Sequence, residues 1–446
     1  MDRHVFLRHA WRTAAIVVCV IALAGCAFLE ELDLLPDPLV QATPTQTPTL
    51  AVTSTQTATP EAATPAVSPR VVTLEMWVPE LVSSLDGGGG ADVLVNQLTA
   101  FFAETSGAQV RVTVKKDSGS GGIYNLLSTA HEVAPSIMPD VIVLNQHDLL
   151  VAGEGGLIRP LQGNIPDESA YVATSLASVR NGDTIWAFPY LARASQMAYR
   201  SAISTTPPLS WTTILTESVA MLFPAAPVDG LATDTLLAIY VGSGGRVTDA
   251  SGQATLDRAA LERVYGFFAE MQQGDLLDVE QALAMSDAAS CWRAYQEGIG
   301  QLTPVPVSQY WLEPLEDTLP GWAPTQEGQP ITILSTWGLA IVTEDPVRGA
   351  AALELIRWLV SAENMAELAA ATQMLPTRTQ ALGSWSVGAD GEAFVGQLLD
   401  SSVRALPPSV DTPVRRALQA GLTALLLQEV DSPEAAASTA LTNLRR

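Results

Sequence analysis

Past residue 25 the chain carries only two histidines, His131 and His147, and one cysteine beyond Cys26, namely Cys291. A Ser-His-Asp or Cys-His site would have to use one of those histidines, and no G-x-S-x-G elbow accompanies either. No H-E-x-x-H, paired C-x-x-C or P-loop is present. Two glycine-rich stretches, Gly87–Gly90 and Asp117–Gly122, do not fit G-x-G-x-x-G and read as flexible loops. Carboxylates are abundant, so a glycosidase-type pair of acid and nucleophile stays open. A lone Cys291 permits no intramolecular disulfide.

The residue whose surroundings specify a reaction is Cys26. Arg3, Arg8 and Arg12 form a basic start, followed by the apolar run Ala14–Ala24, too short to span a bilayer comfortably. Leu23-Ala24-Gly25-Cys26 resembles a bacterial lipobox, in which the thiol receives a diacylglyceryl thioether and the cysteine becomes the first mature residue. Two acyl chains suffice for stable membrane attachment. Residues 1–25 are therefore expected to be a lipoprotein signal, and residues 26–70 the lipidated cysteine and a tether. From Pro36 to Pro69 the sequence is nearly all Thr, Pro, Ala, Ser and Gln, with no apolar periodicity to offset its ordering entropy. At roughly 3.1 Å per residue in an extended, proline-rich form, such a spacer reaches about 100 Å. The expected location is the extracytoplasmic face of the cell membrane.

The whole chain has a formal net charge of −24, and without residues 1–25 it becomes −26, with 20 basic against 46 acidic residues. A chain so acidic does not track a phosphate backbone, which excludes nucleic acid as a partner. The same sign opposes adsorption to anionic lipid, so membrane contact depends on the anchor.

Residues 71–446 are long enough for two or more domains. Val71–Val78 is a β-branched run that reads as a strand, and Val93–Thr105 has apolar residues at helical spacing. Gln109–Val114 alternates as a strand, Ile123–Val133 reads as an amphipathic helix, and Pro139–Leu144 is a short apolar run of the kind found in parallel strands covered on both faces. Ile331–Val342 holds two strand-like pieces around Thr336-Trp337-Gly338. A helix follows at Pro346–Leu359, with Ala350, Leu353, Ile356 and Leu359 on one stripe, and Val414–Gln428 and Pro433–Leu444 are also helical. Alternating strands and helices predict an α/β fold.

Several segments, in order, resemble the extracellular solute-binding proteins that serve as receptors of ABC importers, in the branch that includes maltose- and other sugar-binding proteins. Phe101–Gly107 and Met138-Pro-Asp-Val-Ile-Val look like that family's first lobe. Gly155-Gly-Leu-Ile-Arg-Pro-Leu161 is similar to its "GLL-x-PL" segment, Trp186-Ala-Phe-Pro-Tyr190 to "YGxPY", and Ser210-Trp211 to "TWdEL". Ser335-Thr-Trp-Gly-Leu-Ala-Ile341 resembles "GGxGLAI", and Met374-Leu-Pro-Thr-Arg378 the "G-xLPxR" sequel. The matches span roughly residues 72 to 444. The chain departs from the pattern where Arg200 replaces asparagine after Tyr199 and Ser335-Thr336 replaces a glycine pair.

The resemblance implies a two-lobed α/β clamp of the type II periplasmic-binding-protein kind, each lobe a mainly parallel sheet flanked by helices. It implies a first lobe from 71–190 and 331–375, a second from 191–330 and 376–446, and chain crossings near 187–195, 325–332 and 373–380. Ligand would lie between the lobes at the strands' C-terminal ends, and hinge closure would present a new surface to a permease. The partners expected are a small solute, favoured to be a carbohydrate, and the permease, with the receptor itself a monomer needing no cofactor and breaking no bond. A non-sugar solute (peptide, polyamine or phosphate ester) and an exported glycan hydrolase are the alternatives.

Nine tryptophans follow residue 25. A tryptophan offers the C–H face of a sugar ring a large apolar area and one donor. Trp77 at the end of the first strand, Tyr190 at the first crossing, Trp337 in the "GLAI" turn, and Trp311 with Gln309 on the second lobe are the expected ligand contacts, with Trp292 beside them. Ser118 in the glycine loop and Asn145 after the "PDVIVL" strand are further candidates, because loops at strand ends face the ligand. His147 and Asp148 are expected to cap the following helix, and Trp211 and Trp358 to pack in the core.

Overall fold

The computed structural model describes residues 72–83, 89–105, 108–161, 163–203, 210–385 and 387–445. Cys26, the signal expected at residues 1–25 and the tether expected at 26–70 lie outside these residues. Among the described residues no helix is long and apolar enough to cross a membrane.

The first passage of the chain builds β1 (Val72–Pro79), α1 (Gly90–Thr105), β2 (Ala108–Lys115), α2 (Ile123–Val133), β3 (Val141–Asn145), α3 (Gln146–Glu154) and β4 (Phe188–Arg193). A second passage gives β5 (Ser195–Arg200), α4 (Asp234–Gly242), α5 (Arg258–Gln273), α6 (Ala288–Gln296), β6 (Leu302–Pro306), α7 (Val307–Leu312) and β7 (Thr318–Gly321). The chain returns through β8 (Thr332–Ile341), α8 (Pro346–Leu359), α9 (Ala362–Ala371), β9 (Leu375–Pro376) and α10 (Gly388–Asp400). It ends with β10 (Ser402–Arg404), α11 (Pro408–Leu426) and α12 (Pro433–Leu444).

The seven-stranded sheet of the first lobe runs β9-β4-β8-β3-β1-β2, with β10 added to β8. β3 is buried along Val141–Leu144, as an apolar run covered on both faces must be. β1 pairs in parallel with β2 and β3, whereas β8 runs antiparallel to both β3 and β4. The second lobe has a three-stranded sheet, β6-β5-β7, antiparallel throughout. The two-lobed α/β clamp therefore stands, while strand direction is mixed in one lobe and antiparallel in the other rather than mainly parallel. β4 and β5 are consecutive strands separated by Ala194 alone, yet they belong to different sheets, one in each lobe.

Two passages between the lobes are short and tightly held. β8 is continuous through both cores, with Ile333 in the second and Leu334 in the first. The Thr332 hydroxyl donates to the Ser195 carbonyl at 2.7 Å, tying two passages together. Gln146, buried at the start of α3, accepts from the Thr336 amide at 3.1 Å and donates to the Ala405 carbonyl at 2.8 Å. The third passage falls at β10 rather than at 373–380. Ala381, Leu382, Trp385, Val395 and Leu398 all belong to the first core, and the chain joins the second core only from Ala405. An apolar α10 face keeps that stretch with the first lobe. Along α8 the buried stripe is Ala352, Leu355, Ile356 and Leu359, with Ala350 exposed and Leu353 half-buried, a rotation of the expected face.

Candidate functional site

One wall of the cleft grows from the ends of β2, β3 and β8. The pairing of Trp337 with Asn145 across β8 and β3 brings the two side by side. A shift in the β8–β4 register between Trp337 and Gly338 bulges the strand there, a device that re-aims a side chain. Gly338 has to be glycine, since a Cβ there would lie 2.8 Å from the Ala187 Cβ and 2.9 Å from Leu149 Cδ1. So placed, the Trp337 indole Nε1 donates to Asp117 Oδ1 at 2.8 Å. The Arg193 guanidinium lies 5.5 Å from the centre of the Trp337 ring, within cation–π range.

Asn145 caps α3, its Oδ1 accepting from the amides of His147 and Asp148 at 3.1 and 3.0 Å. The cap is therefore Asn145 itself, not His147 or Asp148, and its amide donates in turn to Asp148 Oδ2 at 3.0 Å. Burial raises the pKa of Asp117 above the ordinary carboxylate value, against the opposing effects of the Trp337 bond, Arg193 and Asn145. Burial also raises that of Asp148, opposed by the Asn145 bond and reinforced by the charge of Asp117. His147 is shifted down, first by burial, which keeps its imidazole neutral at pH 7.

The facing wall comes from α4, α6, α7 and α11. Arg415, 8% exposed, reaches Asp411 Oδ1 through Nε at 2.7 Å, Asp234 Oδ1 through Nη2 at 2.5 Å and the Ala232 carbonyl through Nη1 at 3.0 Å. Burial alone would lower the pKa of this guanidinium, but the two carboxylates override it and raise the value. Asp287 caps α6 by accepting from the Ser290 amide at 2.7 Å.

Two cavities lie between these walls. The larger, about 640 Å³, takes its lining from Arg193–Ser195 at the first passage, the starts of α4 and α6, Gln309 of α7, and Gln373. Among the described residues no aromatic side chain lines it. The smaller, about 330 Å³, is lined by Asp117, Ser118, Asn145, His147, Asp148 and Trp337 of one wall and by Asp411 and Thr412 of the other. Asp411 lines both, so the two cavities meet there. Four helices, α3, α4, α6 and α11, start at this cleft, and each carries an aspartate at its cap or in its first turn.

Of the residues expected to touch ligand, Ser118, Asn145 and Trp337 line the smaller cavity and Gln309 the larger. Four aromatics line neither. Trp77 is 8% exposed within β1, with Lys115 Nζ 5.3 Å above its ring. Tyr190 is fully buried, its hydroxyl without a partner among the described residues. Trp292 is buried and stacked on Tyr295 at 5.4 Å, and Trp311 is held by a 3.0 Å bond from Nε1 to Gln196 Oε1 with its ring against Tyr310 and Phe394. Trp211 stacks on Phe267 at 5.0 Å and Trp358 tilts against Phe101 at 6.2 Å, both as core side chains. The aspartates of the cleft and Arg193 were missed. The signal for Asp287 was present, since Asp287-Ala-Ala-Ser290 is a capping pattern at a helix start. Among the described residues no cluster of His, Cys, Asp and Glu could hold a metal ion.

The fold is shared with solved structures. A maltose-bound MalE3 of T. maritima matches with a TM-score of 0.63 and 18% identity over 84% of this chain and 99% of that one. The cyclic α-maltosyl-1,6-maltose binding protein of Arthrobacter globiformis matches at 0.66 and 14% over 84% and 98%, and the sugar-binding protein MalE of Xanthomonas citri at 0.66 and 16% over 84% and 96%. At such identities the likeness establishes the fold. A sequence search of curated proteins gives no match. The family model described as bacterial extracellular solute-binding protein matches residues 97–394. With that model covering most of the folded chain, and with a cleft lined from both lobes, the protein belongs to the bacterial extracellular solute-binding proteins.

Proposed function

We propose that the chain is the lipid-anchored receptor of an ABC importer, capturing a carbohydrate between its lobes and delivering it to the permease without breaking a bond. The observation that carries this reading is the pair of cavities meeting at Asp411, whose walls come from different lobes. A solute bridging Asn145 and Trp337 on one side and Asp411 and Gln309 on the other would hold the lobes together, which is how binding becomes a closed shape that a permease can recognise. The volumes are in the range of small-molecule sites. The lining presents amides, hydroxyls and carboxylates suited to sugar hydroxyls, and Trp337 adds an aromatic surface. The solved relatives named for maltose and other sugars support the same class of solute. Cys26 would supply the anchor and residues 26–70 the reach from the membrane.

Thermal shift with a sugar panel tests the reading, because a ligand that binds only the folded form raises Tm by mass action. The expected result is a rise with at least one sugar, which is recovered unchanged after long incubation. Release of reducing sugar would overturn it in favour of a hydrolase using the cleft carboxylates.

A further inference from the structure

We infer that the solute this cleft selects is a carbohydrate bearing protonated amines, rather than a neutral or an anionic one. The inference rests on the carbohydrate reading above and adds its charge. Six aspartates line the two cavities, Asp117 and Asp148 in the smaller, Asp229, Asp234 and Asp287 in the larger, and Asp411 in both. Among the described residues no lysine lines either. Two arginines do, and one of them, Arg415, is already saturated by Asp411, Asp234 and the Ala232 carbonyl. Arg193 stands against the Trp337 ring.

The formal balance of the lining is −4. The four helix starts each contribute about half a positive charge, which leaves about −2. Helix starts without acidic residues attract phosphates and carboxylates, and here each is already occupied by an aspartate. An anionic solute is thereby disfavoured. The whole chain is acidic, but a carboxylate in water is stabilised by its hydration. Asp148 faces the charge of Asp117 in a partly dehydrated space, and burial raises the pKa of both. A cation entering there replaces the lost hydration.

A second observation is independent of charge. Thr336, wholly buried and lining the smaller cavity, has a hydroxyl without a hydrogen-bond partner among the described residues. An unpaired buried hydroxyl calls for a polar ligand group, as a polyhydroxylated solute provides. The scarcity of aromatic surface fits as well. With Trp337 as the one Trp, Tyr or Phe among the described lining residues, this cleft binds by charge and hydrogen bonds more than by ring stacking.

The test is calorimetric titration of the detergent-solubilised full-length protein at about pH 6, where amines are protonated. Two matched pairs are used, glucosamine trimer against its N-acetylated counterpart and kanamycin against maltotriose, with spermidine as a cation without hydroxyls. The expected result is at least tenfold tighter binding of the amine-bearing member of a pair, about 1.4 kcal/mol, and a loss of that preference in Asp117→Asn/Asp148→Asn. Equal binding within both pairs overturns the inference while leaving a sugar receptor standing. Spermidine binding without any carbohydrate overturns both the inference and the carbohydrate reading. Binding of none of the five overturns the inference.

Discussion

Replacing Arg415 by methionine keeps the aliphatic volume of the stem and removes the charge. The change leaves Asp411 and Asp234 without their cation and the Ala232 carbonyl without its donor. The Asp234 side chain is 42% exposed, so its share is largely screened and amounts to no more than about 1 kcal/mol. Asp411 is 17% and Arg415 10% exposed at the side chain, and orphaning one partner of such a buried pair costs about 3–5 kcal/mol. Taking the low end, about 3 kcal/mol, and an unfolding entropy of about 2.1 cal/mol/K per residue over about 370 folded residues, Tm should fall by about 4 °C. Scanning calorimetry at pH 7 measures it. Arg415→Met/Asp411→Asn should recover about half of the loss, because one of the orphaned charges is then gone. A single variant that melts within about 1 °C of the parent, or a double variant no better than the single, would refute the assignment of Arg415 as the clasp between α4 and α11.

Asp117→Asn should raise Tm at pH 7 and change little near pH 3. The folded-state pKa of Asp117 lies above its unfolded value of about 3.9. Its contribution to stability is therefore full below that value and is lost as pH rises through the folded pKa. Equal effects at both pH values would sink the argument. Burial, then the charge of Asp287, pushes the Cys291 thiol up to about 12. A disulfide reagent at pH 8 should therefore not label the native protein, and should label it stoichiometrically in urea. Rapid native labelling would show the site to be open. Cys26→Ala should leave solute affinity within twofold and release the protein from the membrane, as read by fractionation. A membrane-bound variant would remove the anchor from the proposal.

Much of the first lobe was readable because its signals are local. Ile123–Val133 and Pro433–Leu444 coincide with α2 and α12, each set by a proline, glycine or serine start and an apolar periodicity. Ile331–Val342 read as two pieces but forms the single strand β8, since the Trp337/Gly338 irregularity is a bulge that bends a strand without ending it. The face of α8 was misplaced by its alanines, whose small side chains give little contrast between inside and outside. The third passage could not be read locally, because α10 is apolar on one face and either core could have taken it. In the site, Asn145 and Trp337 were legible as strand-end residues. Trp77, Tyr190, Trp292 and Trp311 were chosen for ring chemistry, and burial, a tertiary property, decided their places. Apart from the capping pattern at Asp287, nothing in the sequence singles out the cleft aspartates among 46 acidic residues past residue 25. The convergence of four helix starts from distant segments gathers Asp148, Asp234, Asp287 and Asp411, and a strand end and a turn add Asp117 and Asp229.

The unbroken course of β8 has a mechanical consequence. Ile333 and Leu334 are neighbours in one paired strand yet belong to different cores. A loose linker would let the lobes swing through any angle at little elastic resistance. A strand bonded to β10 at Thr332–Leu334 and tied to Ser195 behaves instead as a torsion rod, storing energy as its twist changes. Lobe motion would then turn about an axis near Gln146, whose side-chain amide links Thr336 of β8 to Ala405 just past β10. Groups close to that axis, Asn145 and Trp337 among them, travel little, whereas the start of α6, at the far side of the larger cavity, is at the end of the lever arm. The smaller cavity would thus be a preset mould that reads the solute first, and the larger one a jaw whose stroke is set by the stiffness of a single strand.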